Sequence, residues 1–398
     1  MVTEPEDIAS VHPVPPMSPP PPSVVEPVSV TDDTSVHLSL FPTTAFWTGT
    51  GTSNGDTLTV PVKGWAHVAK RTSFRRNLIL GIGKRLLSPI RSDTSSESDK
   101  SFDQRAGAFL DAPLAEQQCL RVVLSAKAVS ERDDLELVDL DALAGFDCFP
   151  DVNSSGLYDA TISIPRDAFE KMELAQRNTL FVVAYKQKGP QAGVYSVTTC
   201  TVVGDSKGYS IISDLDDTIK NSDVHLGALP ALNNAFFVPT AQPIPGMSDL
   251  YQLFLNNTNT SFHYVSASPF QLVDPINKFL IDNSFPAGGV ILRDVWKQSS
   301  RRGYKDQVVK ELFDHYPNRS FILIGDAGEK DAEIYASVYH KYTDRVAKIL
   351  IRDVAEGKNA EQIKFVHNAL KDVPAEIWGM FTDPGSLTAL TLALGKEQ

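Results

Sequence analysis

The chain has 398 residues, with 37 Lys and Arg against 49 Asp and Glu, and 42% of its side chains are hydrophobic. Its formal net charge of −12 argues against a general nucleic-acid binder, and at roughly 150 residues per domain the length allows about two to three domains with a sizeable core. Three cysteines, Cys119, Cys148 and Cys200, exclude a disulfide-stapled scaffold, show no zinc spacing, and read as small buried apolar groups in a reducing compartment.

Residues 1–38 are predicted to be a disordered tail. Nine of the 26 prolines fall before residue 30, and proline removes backbone donors and fixes φ. Pro13-Val-Pro-Pro16 and Pro16-Met-Ser-Pro19 fit a P-x-x-P frame read by SH3 domains, but no Lys or Arg flanks them, so a plain spacer is the competing reading. The acidic N-terminus has no basic and apolar stretch of a secretory signal, no Gly stands at position two, and the C-terminus has no prenylation signal. No apolar run reaches the ~18 residues that span a bilayer. A cytoplasmic protein is expected, meeting membrane only from outside.

Residues 39–205 read as β. Runs at 57–62, 120–129, 158–164, 179–185 and 194–203 are separated by turn residues, which predicts an antiparallel sandwich. Within it, residues 70–91 carry seven basic side chains and no acid, and Phe74, Leu78, Ile82 and Leu86 recur every four. Such a segment suits an anionic membrane surface. A helix packed on the sandwich with its charges in solvent explains it equally, and Gly81 and Gly83 weaken the helix. Residues 92–100 are polar and are expected to form a mobile loop.

Residues 206–398 alternate strands and helices. Buried strands are predicted at 209–212, 262–265, 289–292, 321–324 and 347–351, with helices near 247–255, 272–281, 307–315, 331–339 and 360–370. That order gives a parallel sheet covered on both faces, with ligands beyond its C-terminal strand ends.

The first strand ends in Asp214-Leu-Asp216-Asp217-Thr218. A tight turn there leaves a carboxylate and a carbonyl facing a hard cation such as Mg²⁺, although a solvated acidic turn has the same sequence. The second strand ends in Ser266-Ala-Ser268-Pro269, hydroxyls and N–H groups that suit phosphate oxygens or simply cap a helix. Lys305 stands near a helix start, unusual unless something anionic is close. The fourth strand ends in Gly325-Asp326-Ala-Gly-Glu329-Lys-Asp331.

In this order the motifs resemble the haloacid dehalogenase superfamily of phosphohydrolases. Residues 213–224, Tyr264-Val-Ser-Ala-Ser-Pro269, 321–331 and Ile349-Leu-Ile-Arg352 are similar to the catalytic domain of the actin-patch family of phosphatidate phosphatases, which is related to the lipins. The similarity covers roughly residues 206–385, with a weaker echo at Lys63-Gly-Trp-Ala66. Two positions depart from the family pattern: Tyr304 stands before Lys305 where His is common, and Phe270 stands where Trp is common.

The resemblance implies a Rossmann-like haloacid dehalogenase-type α/β domain over 206–398 with a small cap, preceded by a β-rich Ig-like sandwich over 39–205. It implies Mg²⁺-dependent hydrolysis of phosphatidic acid to diacylglycerol. Asp214 would be the nucleophile and Asp216 the acid and base, with Thr218 bracing the turn and Asp217 in support. Ser266, Ser268 and Lys305 would hold the phosphoryl group, and Asp214, Asp216 and Asp326 would serve the metal. Glu329 and Asp331 are candidates for the metal's water shell or for partners of Lys305. The short stretch 221–261 leaves no room for a large cap. Phe236 and Phe237 lie in it, at the site rim or in the core. Family members act near endocytic actin structures on anionic membranes. The same chemistry on a soluble phosphomonoester or phosphoprotein, and a non-enzymatic lipid-binding adaptor, are the competing functions.

Overall fold

The computed structural model describes residues 34–49, 56–70, 73–91, 93–114, 120–126, 146–171, 178–188, 191–295 and 301–396. The proline motifs and Cys119 lie outside the described residues. Among those described, no helix is long and apolar enough to cross a membrane.

The N-terminal strands are β1 (Thr34–Leu40), β2 (Thr43–Thr48), β3 (Thr57–Lys70), β4 (Ala112–Pro113), β5 (Leu120–Ser125), β6 (Asp147–Cys148), β7 (Leu157–Pro165), β8 (Thr179–Lys186) and β9 (Tyr195–Val202). They form one nine-stranded sheet. The long β3 pairs antiparallel with β1, β2, β4 and β7, and β8 with β5 and β9. The sheet is mixed rather than wholly antiparallel, because β2 runs parallel to β9 and joins the two groups. One core draws on both groups, with Val60, Val62 and Ile162 packed with Val122, Val182 and Cys200. Strand β1 begins at Thr34, inside the stretch expected to be tail. Burial pushes the Cys200 thiol up to about 12, as an inert core cysteine requires.

Between β3 and β4 lie α1 (Phe74–Leu87) and α2 (Ser96–Ala108). Helix α1 forms despite its two glycines. Ser73 accepts from the Arg76 N–H as N-cap, and Lys84 and Arg85 stand in the last turn, where cations suit the helix dipole. The polar stretch expected to be a mobile loop instead starts α2: Ser95 caps the Ser98 N–H, and Glu97 and Asp99 fill the first turn. A short helix, α3 (Arg166–Lys171), follows β7.

The second half holds strands β10 (Gly208–Ser213), β11 (Thr260–Pro269), β12 (Gly289–Arg293), β13 (Arg319–Asp326), β14 (Val346–Arg352) and β15 (Trp378–Phe381). Its helices are α4 (Ala228–Phe236), α5 (Met247–Asn257), α6 (Val273–Asp282), α7 (Arg301–His315), α8 (Asp331–Lys341), α9 (Ala360–Ala369) and α10 (Thr388–Leu394). The sheet is six-stranded and parallel, in the order β12-β11-β10-β13-β14-β15. Alternate side chains supply its two faces. Ile211, Ile322 and Ile324 meet α5 and α6 through Tyr251, Phe254 and Ile276. Ile212, Phe321 and Leu323 meet α7 and α8 through Phe313, Ile334 and Val338. Strand order reverses between β10 and β13, which opens a crevice at their C-terminal ends.

The two sheets interlock. Phe41, Trp65 and Leu157 belong to the same apolar cluster as Ile211 and Phe270, and Phe46 to that of Ile212 and Phe313. Trp65 meets the Phe270 ring edge-on at 5.5 Å. The Tyr316 hydroxyl donates to Thr44 Oγ1 (2.6 Å), and Thr44 Oγ1 lies 3.3 Å from His263 Nδ1.

Two buried histidines stand along this seam. Burial pushes His67 down to about 3, with Asp274 opposing and Arg76 adding. Burial, Arg319 and His315 take His263 down to about 3. Unfolded, each takes a proton near pH 6.5; folded, each refuses it until about pH 3. The unfolded chain therefore binds more protons in that window, and stability falls as pH falls, by up to about 1.4 kcal/mol per pH unit per histidine. Urea unfolding midpoints should decline from pH 7 to pH 5. The decline should be shallower in His263→Gln; an unchanged slope in that variant would remove His263 from the account.

Candidate active site

Strand β10 delivers Asp214 to the crevice, where its N–H donates to the Ile324 carbonyl of β13 (2.9 Å). The turn that follows is tight. The Ile219 and Lys220 N–H groups both return to the Leu215 carbonyl, and Asp217 adopts φ 58°. This turn separates Asp214 from Asp216, and the two carboxylates live in different surroundings.

Asp214 is 2% exposed. One carboxylate oxygen meets Lys305 Nζ at 2.7 Å, and the other accepts from Thr218 Oγ1 at 3.2 Å. Burial pushes this carboxyl well above its ordinary value; Lys305 opposes, and Asp331, Glu329 and Asp326 add to the push.

Asp216 accepts four side-chain donors: Lys220 Nζ (2.7 Å), Ser222 Oγ (2.6 Å), Ser266 Oγ (3.0 Å) and Ser268 Oγ (2.8 Å). Burial raises its proton affinity, but Lys220 and the hydroxyls outweigh burial and hold the carboxyl well below the usual range. Both predicted serines therefore converge on Asp216, and both of its oxygens are occupied. Lys220 and Ser222 were not anticipated; the only sequence signal was a Lys four residues after an Asp, ordinary in any chain.

Asp217 faces away from this pair. Its carboxylate accepts the N–H groups of Ser222, Asp223 and His225, and its carbonyl accepts from Arg352 (2.7 Å). It braces the turn.

Lys305 lies in the second turn of α7 and is 5% exposed. Its ammonium meets three carboxylates, Asp214 (2.7 Å), Glu329 (2.8 Å) and Asp331 (3.0 Å). Burial disfavours the charge, yet these acids, Asp214 first, carry its pKa well above the ordinary lysine value. Asp331 also accepts the Asp326 N–H (3.3 Å), which ties α8 to the end of β13. Gly325 is required there, since a Cβ would stand 2.4 Å from Asp331 Oδ2.

Asp326 presents the feature that most directly concerns a metal. Its Oδ1 accepts the N–H groups of Gly328 (2.6 Å) and Glu329 (3.1 Å). Its Oδ2 is buried with no hydrogen-bond partner among the described residues. Oxygens of Asp214, Asp326 and Glu329 lie within 4.8 Å of one another. Buried carboxylates gathered around an unsatisfied oxygen fit a hard divalent cation, which takes oxygen ligands.

The site opens into a cavity of about 890 Å³. Asp216, Lys220, Ser268, Glu329 and Arg293 line one end, and the Nε of Arg293 is buried without a hydrogen-bond partner among the described residues. Leu232 and Phe236 of α4, Leu272, Ile276 and Phe279 near α6, and Trp65 of β3 provide an apolar wall. Phe236 thus faces the cavity, whereas its neighbour Phe237 is fully buried against Phe102 and Leu80. Arg105 of α2 holds the end of α4 in place through the carbonyls of Ala235, Val238 and Pro239.

Comparison with known proteins bears on what this arrangement is. Residues 209–353 match the family model described as phosphatidate phosphatase APP1, catalytic domain. An uncharacterised protein of Schizosaccharomyces pombe is 34% identical over 161 residues, 38% of this chain and 26% of that protein. Phosphatidate phosphatase APP1 of Saccharomyces cerevisiae is 28% identical over 178 residues, 42% of this chain and 28% of that protein. The matches thus span about a quarter of the length of these curated relatives. The matched segment runs from β10 to just past β14 and contains every carboxylate of the crevice, together with Ser266, Ser268 and Lys305. Residues 209–353 thus form a domain similar to the phosphatidate phosphatase APP1 catalytic domain.

Proposed function

We propose that the chain is a Mg²⁺-dependent phosphatidate phosphatase that hydrolyses phosphatidic acid to diacylglycerol and phosphate. The observation that carries this reading is the continuity of the crevice with the cavity. The cavity shares Asp216, Ser268 and Glu329 with the crevice, Glu329 being paired there with Lys305, and its lining continues into the apolar Leu232, Phe236 and Phe279, which suits a phosphate on an acyl-bearing backbone. The strand order and the position of the crevice support a haloacid dehalogenase-like domain for residues 206–398, and the shared two-group core supports a sandwich-like domain before it. A cytoplasmic protein that visits membranes fits both; the proline motifs remain candidates for SH3 docking.

The chemistry follows from the different surroundings of the two aspartates. Asp214 attacks phosphorus and forms an aspartyl-phosphate as the phosphorus–alkoxide bond breaks. Asp216 gives its proton to the leaving alkoxide. In the resting site Lys220 and the serines keep Asp216 ionised; the negative charge of an arriving phosphate raises its proton affinity. Asp216 then takes a proton from the water that cleaves the intermediate and frees phosphate. Ser266, Ser268 and Arg293 stand where hydroxyl and guanidinium groups meet phosphoryl oxygens. Lys305 keeps Asp214 aimed and opposes the burial that raises its proton affinity. Asp214 and Asp326, with Glu329 alongside, would hold Mg²⁺, which when bound supplies positive charge against the phosphoryl oxygens.

The test is phosphate release from phosphatidic acid in mixed micelles, with Mg²⁺ and with a chelator, beside a small aryl phosphate. Metal-dependent release from the lipid is expected. Turnover of the aryl phosphate alone would keep the chemistry and remove the lipid, and silence on both would leave a non-enzymatic binder.

A further inference from the structure

We propose that the outward face of α1 docks the protein on an anionic bilayer. Among the described residues, the helix is pinned by one side only. Leu80 packs with Phe102 and Phe237, Lys84 pairs with Asp103 (2.7 Å), and Arg76 pairs with Asp111, which also accepts from His67 of β3 (2.8 Å). These contacts fix which face points away from the fold.

That outward face is apolar. Phe74 is 80% exposed, Leu86 73%, Leu78 and Ile82 each 50%, and Ile79 41%. With 3.6 residues per turn, these five side chains and those of Arg75 and Arg85 fall within an arc of about 140°. A Cβ placed on Gly81 would touch nothing among the described residues. A helix that packs its apolar stripe on the fold would show the reverse arrangement.

Charge identifies the occupant. The helix contains no acid, while the chain as a whole carries −12. Arg75 and Arg85 are exposed on the same arc as the apolar side chains, a mixture suited to a plane of anionic headgroups over hydrocarbon. The inner side of the helix adjoins the cavity. Arg76 of α1 and Arg105 of α2 line it, and α4, next to α2, carries the exposed Leu229, with Leu226 just before it.

The experiment uses the full chain and vesicles of phosphatidylcholine with or without phosphatidylserine. Phosphatidylserine is not a phosphomonoester, so binding is read without turnover and does not depend on the phosphatase reading. Sedimentation with the anionic vesicles is expected, weakening with salt. Arg75→Glu with Arg85→Glu should reduce it at least tenfold, as a basic residue near such a surface contributes roughly fivefold. Leu78→Glu with Ile82→Glu should abolish it. Both variants should keep the parent unfolding midpoint and aryl phosphate turnover, because none of these side chains touches the crevice. Equal vesicle binding by parent and variants, or no binding by the parent, overturns the proposal. A parent that is dimeric, and monomeric only in Leu78→Glu with Ile82→Glu, would overturn it in favour of a second copy of the chain.

Discussion

Asp214→Asn should lose phosphate release on the order of a thousandfold or more while folding at least as firmly as the parent. The loss follows because an amide cannot attack phosphorus as a carboxylate does. The retained stability follows from the surroundings. Four buried or half-buried carboxylates, Asp214, Asp326, Glu329 and Asp331, crowd one ammonium, and the Asp214 carboxyl is already pushed well above its ordinary range. Removing one negative charge relieves repulsion, and Lys305 keeps two acidic partners. Thermal unfolding and single-turnover phosphate release measured on the same preparation check both halves. A variant that keeps a tenth of the activity would remove Asp214 as nucleophile.

Lys305→Met should do the opposite to stability. It leaves the acids of the crevice without their shared counter-charge, in a place where Lys305 is 5% exposed. Breaking a buried ion pair by deleting one partner costs about 3–5 kcal/mol. Activity should fall with it. The deficit should also shrink on acidification. Asp214, Asp326 and Asp331 all have folded-state proton affinities above the ordinary value, burial being the first cause in each. Their folded forms take up protons before the unfolded chain does, so lowering pH favours the folded state at these groups, more so once Lys305 is gone. Unfolding midpoints of parent and variant at pH 7 and pH 5 test this; a gap that widens toward pH 5 would contradict the arrangement.

The residues of the crevice were readable because a parallel sheet converts linear spacing into position. Asp214, Ser266 and Asp326 each end an apolar strand, and neighbouring parallel strands bring such ends to one edge. Lys305 was readable as a charge where a helix of this kind rarely keeps one. What surrounds Asp216 was not readable. Lys220 and Ser222 reach it only because the turn doubles back through the positive φ of Asp217, a conformation that the sequence does not announce for an aspartate. Strand β15, Trp378-Gly-Met-Phe381, escaped because four residues at a sheet edge carry too little periodicity. The helix at 74–87 was weighed against its glycines, and its cap at Ser73 and the anchoring of its inner face decide in its favour. The stretch at 92–100 looked like a loop because its first turn is polar, which is also how a capped, solvent-facing helix begins.

The seam between the two sheets limits how such a protein can be rearranged by gene fusion. A change of texture near residue 205 suggests a clean place to cut, and the aromatic and aliphatic contacts made by Phe41, Phe46, Trp65 and Leu157 show that it is not one. A catalytic half transplanted behind a foreign partner would carry Phe270, and with it the end of β11 bearing Ser266 and Ser268, without the indole that meets its ring. Recombination that keeps Trp65 against Phe270 must therefore move β3 together with the crevice.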